Sequence, residues 1–212
     1  MSSPTCIQAV VFAFRGTLAS MPLDMEQMYT KAAAIAAAFD ICLPQAPTLW
    51  AALDQARDEL ARSDRDIALE FHTRCRFALL ESEVAAARQG RMLVALPAFF
   101  SALRQRGLAV GVVSTTSTPV LDLLVPNWQR SGALWVTRET PLPLKPDPAP
   151  YSFFRQQTGL APEQILAVGA HPLDMWAPRA LGWATAGIGA AASEAHWALS
   201  GPAAVEELLV SP

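Results

Sequence analysis

From Pro97 onward the sequence alternates short apolar runs with helix-like stretches, and this alternation narrows the fold more than any other feature. A helical segment Pro97–Arg106 stops at Gly107 and gives way to an apolar run over 108–114. A helix opening at Thr118-Pro119, a strand over 133–137, a helix over 148–158, a strand over 165–169, a helix over 172–181 and a strand over 183–188 follow. Strands separated by helices pair in parallel, and runs apolar throughout are buried on both faces. The expected fold class is α/β, a Rossmann-like, doubly wound parallel sheet.

An inserted helical region precedes this alternation. Met28, Ala32, Ile35 and Phe39 recur at helical spacing, and so do Leu49, Leu53, Ala56 and Leu60. Ile67, Phe71, Cys75 and Ala78 open a third, longer helix, with Ser63 or Asp64 as its cap. Residues 22–90 thus read as all-helical, with strands resuming only at Leu108. The expected domains are a core of 1–20 and 91–212 and a helical domain of 21–90. The proline-dense stretch Pro141–Pro150 reads as a loop leading into a helix rather than a linker.

Bulk properties exclude several function classes. A chain of 212 residues has length for one core domain and a modest insertion. A net charge of −3 and a pI near 5.6 argue against a nucleic-acid surface. No apolar run is long enough to span a bilayer, and no basic flank marks a signal peptide, so no membrane role and a cytoplasmic location are expected. Cys6, Cys42 and Cys75 lack metal-site or redox spacing and read as reduced, buried thiols. The six tryptophans read mostly as core or interface, with Trp176 placed to face a pocket or the inserted helical region.

Ahead of the helical region, Val10-Val11-Phe12-Ala13-Phe14 is followed by Arg15-Gly16-Thr17-Leu18. This is a buried strand turning sharply at its carboxyl end, where open α/β sheets bind ligands. Gly16 permits close backbone approach, and successive amides there can form an anion-binding nest. Three more stretches come in order: a strand ending in Ser114-Thr115, then Lys145-Pro146-Asp147-Pro148 with Tyr151, then Ile165–Gly169 leading into Ala170-His171-Pro172-Leu173-Asp174. Ala180-Leu181-Gly182-Trp183 follows. The ordered set resembles the four motifs of the haloacid dehalogenase-like (HAD) hydrolase superfamily, in its helical-cap phosphatase and 2-haloacid dehalogenase branch.

That resemblance implies a HAD-like core with a helical cap, and it also marks departures. The family's nucleophilic Asp is Ala13 here, its acid/base Asp (Tyr in the dehalogenases) is Arg15, and its metal-binding Asp is Ala170. Ser114, Lys145 and Asp174 keep the remaining motif positions. A complete phosphatase set would place four aspartates against one lysine and call for Mg²⁺. Here two cations face one carboxylate. At ~4 Å and an effective dielectric near 20, each charge pair is worth about 4 kcal/mol, mostly repulsive toward a metal, so no Mg²⁺ or other cofactor is expected. Gly169-Ala170-His171 is closer to the metal-free dehalogenase version, but those enzymes also need the first Asp and a cap Arg. The first Arg after Pro44 in the helical region is Arg57.

The surviving residues carry two readings each. The relic motif positions Ala13, Arg15, Ser114, Lys145, Ala170 and Asp174 hold no catalytic set. Arg15, Gly16, Thr17, Ser114, Thr115, Lys145 and His171 form a candidate anion site. Alternatively Lys145 forms a structural ion pair with Asp174, Ser114 satisfies its strand end, His171 is a hydrogen-bonded loop residue, and Arg15 plugs the pocket by pairing with Asp174. Three functions stay open: an inactive relative binding a protein partner or acting as an oligomeric scaffold, a non-hydrolysing carrier of a phosphorylated or carboxylated small molecule, and a hydrolase whose nucleophile has been replaced by Ala13, naturally or by engineering.

Overall fold

The computed structural model describes residues 7–209. Its chain divides into two compact units, one made of the chain up to Met21 together with Gly90 onward, the other of Pro22–Gln89. These joins lie one residue from those expected.

The strands are β1 (Ala9–Ala13), β2 (Ala19–Ser20), β3 (Arg91–Met92), β4 (Ala109–Val113), β5 (Leu134–Val136), β6 (Ile165–Gly169), β7 (Ala184–Ile188) and β8 (Trp197–Leu199). Six of them form one parallel sheet in the order β5-β4-β1-β6-β7-β8. Central β1 pairs with β4 from Ala9↔Ala109 to Ala13↔Val113, and with β6 from Ala9↔Ile165 to Phe12↔Val168.

Both faces of this sheet are covered, which is why its strands are apolar without alternation. Val10, Phe12, Val110, Val112, Leu166 and Val168 join one core layer with Phe99, Phe100 and Leu103 of α4 (Leu96–Gln105). Ala9, Val11, Val113, Ile165 and Ala167 join the other, with Tyr151 and Phe154 of α6 (Ala149–Thr158), Ala177 of α7 (Leu173–Ala180) and Trp183. Phe154, 1% exposed, lies against Gly111, where a Cβ would come within 2.3 Å of the ring. Burying such a ring contributes about 1.5–3 kcal/mol. The remaining core helices are α5 (Thr118–Leu124) and the short α8 (Val205–Leu208).

Two features differ from the sequence expectation. Strands resume at Arg91 rather than Leu108, because β2 and β3 form a small antiparallel ribbon pairing Ala19↔Met92 and Ser20↔Arg91. A sixth strand, β8, extends the sheet beyond β7. Strands of two or three residues have no period to detect.

The second unit, among its described residues, is entirely helical: α1 (Met25–Ala37), α2 (Leu49–Leu60) and α3 (Arg65–Arg88), with α3 packed on both others. Side chains of Asp24, Thr48 and Asp64 cap them by accepting from backbone amides of the first turn. Phe71, Cys75 and Leu79 are wholly buried on α3, while Ile67, expected on the same stripe, is 42% exposed in the first turn. Cys42 is exposed rather than buried, Cys75 is buried, and Cys6 lies outside the described residues. Among the described residues no helix is long and apolar enough to cross a membrane.

Topology locates the functional end of the core. From β1 the chain builds β4 and β5 on one side, then crosses to lay down β6, β7 and β8 on the other. The order therefore switches between β1 and β6, and the crevice beyond their carboxyl ends is where such sheets bind ligands. Ala13 and Gly169 are those ends.

Candidate functional site

Ala13 closes β1 with its side chain buried at 4% exposure. The following turn is closed tightly on itself: the Phe14 carbonyl accepts from the amides of Thr17 (3.2 Å), Leu18 (2.8 Å) and Ala19 (3.1 Å), and the Gly16 amide donates to the Ala19 carbonyl at 2.7 Å. The Gly16 and Thr17 amides, expected as free anion donors, are thus already engaged. Gly16 has φ +80°, and a Cβ placed on it would lie 3.3 Å from the Ala170 Cβ. The turns after β1 and β6 therefore touch across the switch point. Thr17 is wholly buried, and its hydroxyl has no partner among the described residues.

At the end of β4, the Ser114 amide donates to the Val136 carbonyl (2.8 Å) and its Oγ accepts from the Thr116 amide (3.0 Å), leaving the hydroxyl hydrogen available. Sequence reasoning missed what holds this loop. Arg138, 8% exposed just beyond β5, donates from Nε to the Thr115 carbonyl at 2.8 Å. Glu139 accepts from both the amide (3.0 Å) and the hydroxyl (2.9 Å) of Thr118. The only signal was a polar pair directly after the 133–137 strand, beside the Ser114 strand in the expected order.

Lys145 and Asp174 meet. Lys145 Nζ donates to Asp174 Oδ1 at 2.7 Å, with side chains 13% and 9% exposed, and Asp174 Oδ2 accepts from the His171 amide at 3.0 Å. Asp174 sits in the first turn of α7, where the helix dipole favours a carboxylate. Gly169 makes the approach possible: a Cβ there would be 2.4 Å from the Asp174 Cβ. Tyr151 is buried nearby, and its hydroxyl pKa is pushed well above the ordinary value by burial and, secondarily, by the Asp174 charge. The ion pair expected as one reading of Lys145 is formed.

Arg15 does not pair with Asp174. Each Asp174 oxygen accepts from another group, and the exposed Arg15 side chain makes no hydrogen bond or ion pair among the described residues, although a carboxylate has room for further donors. The plug expected for Arg15 is therefore not formed. His171 is also exposed; its Nδ1 accepts from the Leu173 amide at 3.2 Å. Ala170 is half-buried against Gly16. The structure thus brings together Ala13, Gly16, Ala170, His171, Lys145 and Asp174, with Arg15 turned to solvent.

These residues do not fit a magnesium ion. The one motif carboxylate is held by a lysine and a backbone amide, and no group of three His, Cys, Asp or Glu among the described residues is arranged to hold a metal.

The model of the haloacid dehalogenase-like hydrolases matches residues 7–182, most of the chain. The protein belongs to that family. Solved structures agree on the fold. A predicted phosphoglycolate phosphatase from Haemophilus somnus 129PT aligns over 96% of this chain and 98% of its own, with a TM-score of 0.64 and 21% identity. A HAD-superfamily hydrolase of subfamily IA from Geobacter sulfurreducens PCA aligns over 98% and 99%, with a TM-score of 0.57 and 17% identity. CbbY from Rhodobacter sphaeroides, solved in complex with phosphate, aligns over 93% and 95%, with a TM-score of 0.58 and 17% identity. No curated protein matches the chain. At the switch point, β1 ends in Ala13 and Ala170 follows the end of β6, so both positions carry methyl groups.

Proposed function

We propose that this chain is a HAD-family protein without hydrolase chemistry, acting by binding a protein partner or as an oligomeric scaffold. One observation carries the reading: at the switch point the buried end of β1 presents the Ala13 methyl, and Asp174, the motif carboxylate left, is neutralised by Lys145 at 2.7 Å. Neither an alanine nor a lysine-bound, amide-bound carboxylate is an activated nucleophile. Losing the nucleophile of a coupled catalytic unit lowers the rate by about 10⁴–10⁶-fold.

The test is steady-state hydrolysis of p-nitrophenyl phosphate, 2-phosphoglycolate and a 2-haloacid by purified protein, with and without Mg²⁺. The expected result is no turnover above buffer in any condition. Turnover that disappears on substituting a strand-end residue refutes the reading.

A second reading has its own support. Among the described residues the Arg15 guanidinium beside the switch point has no partner and the Ser114 hydroxyl hydrogen is available, so a phosphate or carboxylate held without turnover is chemically accommodated. Thermal stabilisation by phosphate that is lost in Arg15→Ala, without turnover, favours this reading over the first.

A further inference from the structure

The longest helix, α3, has two apolar faces where a surface helix needs one. Ala68, Phe71, Cys75, Leu79 and Ala86 are buried, on the helix against which α1 and α2 pack. The opposite side exposes Leu69 at 64% and Phe77 at 70%, with Leu80 and Val84 half-buried. Helical geometry alone groups these residues. Thr73, Phe77, Leu80 and Val84 follow one another at spacings of four, three and four, the seam by which paired helices meet. Leu69 opens the same stripe one turn earlier.

Charges along this face select its occupant. Flanking the seam, the exposed residues Glu70, Arg74, Glu81 and Arg88 alternate in sign. Glu70 and Arg74 pair with each other one turn apart, and Arg74 also lies 5.5 Å over the Phe39 ring. Glu81 and Arg88 have no ion-pair or hydrogen-bond partner among the described residues. They lie two turns apart, about 10 Å along the axis, so they do not satisfy each other.

Reversed end to end, this row of charges is its own complement. A second copy laid antiparallel along the seam sets Glu70 against Arg88 and Arg74 against Glu81, and the two-fold axis repeats both pairs. The same alignment packs Phe77 beside Leu80 of the second copy and Thr73 beside Val84, so charged and apolar pairings agree on the register to within one turn. A parallel copy would set each charge against its own kind. Asp66, at the start of the helix, extends past the overlap.

We infer that this seam of α3 is the interface of an antiparallel, two-fold homodimer whose occupant is a second copy of this chain. The inference gives the oligomeric reading above its contact surface and rests on that reading for its role. Apolar burial drives the association, and the charges fix its direction. An isologous contact has to complement itself, as this face does, whereas a foreign partner requires no such property. The overlap from Glu70 to Arg88 is about 27 Å long, which places the dimer in the weak, transient class.

Sedimentation velocity of the full chain from about 1 μM to 1 mM should show a concentration-dependent passage from monomer to dimer. Phe77→Glu should weaken the dimer about tenfold or more. Arg74→Glu sets a carboxylate against Glu81 of the second copy, and Glu81→Arg sets a guanidinium against Arg74, so each variant alone should also dimerise less well. Mixed one to one, the two variants offer opposite charges at both contacts, and the mixed dimer should form about as well as the wild type. A purely structural effect within one chain would not recover on mixing. Thermal melts followed by circular dichroism verify that each variant is folded.

A monomer throughout that range overturns the inference and leaves the face to a different partner. A dimer indifferent to Phe77→Glu also overturns it and places self-association elsewhere. Two weakened variants that fail to recover on mixing overturn the antiparallel arrangement. Turnover in the hydrolysis assays would refute the loss of chemistry without touching the dimer, so the two failures are distinguishable.

Discussion

Breaking the Lys145–Asp174 pair one side at a time should be strongly destabilising, whereas removing both sides together should not. At 2.7 Å, with side chains 13% and 9% exposed, the pair has a gross Coulomb attraction of about 6 kcal/mol at an effective dielectric of 20. Most of that offsets the loss of hydration, so the pair's net worth against apolar replacements is near zero. Removing one partner strands the other charge in a poorly solvated site and costs about 3–5 kcal/mol. Asp174→Asn also weakens the acceptor of the His171 amide, and Lys145→Met leaves Asp174 without a counter-ion. For a chain of this size each single substitution should lower the melting temperature by about 6–20 °C. Lys145→Met/Asp174→Asn should lose clearly less than the two singles combined. Tryptophan fluorescence during urea unfolding reads this well, because five of the six tryptophans lie in the core unit. Single losses below about 1 kcal/mol that add in the double variant would mean a hydrated surface pair, and the neutralised site would be refuted.

Four further outcomes are expected. Thr17→Val should be neutral or stabilising by about 1 kcal/mol in urea unfolding, because it removes a wholly buried hydroxyl with no partner; a loss above about 1 kcal/mol would reveal an unrecognised hydrogen bond. Gly169→Ala should destabilise by about 1–3 kcal/mol, since its Cβ would lie 2.4 Å from the Asp174 Cβ, and unchanged stability would contradict that packing. Burial raises the Cys75 thiol from 9.0 to about 11, so the unfolded chain loses this proton first; stability relative to Cys75→Val should fall from pH 9 toward 11 and stay level below, and parallel pH profiles would remove the effect. Ala13→Asp should not restore phosphatase turnover in the assays above, because Ala170 still lacks a metal carboxylate and Arg15 is available to pair with the new one; Mg²⁺-dependent hydrolysis by that single variant would show the site to be one residue from activity.

The sheet was legible because its strands are buried on both sides: 108–114, 133–137, 165–169 and 183–188 are apolar apart from Ser114, Thr137 and Thr185, and alternate with helices. The helical unit was legible from spacing, although the buried stripe of α3 runs through Ala68, Phe71, Cys75 and Leu79, which leaves Ile67 one position off it and 42% exposed. The β2–β3 ribbon and β8 were hidden because two or three residues have no period. At the site, motif order located Ala13, Lys145 and Asp174, but which cation meets Asp174 was a matter of reach. Lys145 and the His171 amide donate to its two oxygens, and Arg15 is left to solvent. Arg138 was missed because its partner is the Thr115 carbonyl, and a backbone oxygen leaves no trace in side-chain identity.

Loss of hydrolysis is tested most directly by single-turnover phosphate release, with protein in excess over 2-phosphoglycolate and Mg²⁺ present. This detects even one slow chemical event per molecule. The expected result is phosphate appearing no faster than in buffer. Phosphate released up to the full substrate concentration, abolished by Asp174→Asn in protein that remains folded, would contradict it and mean that this strand-end cluster still does chemistry.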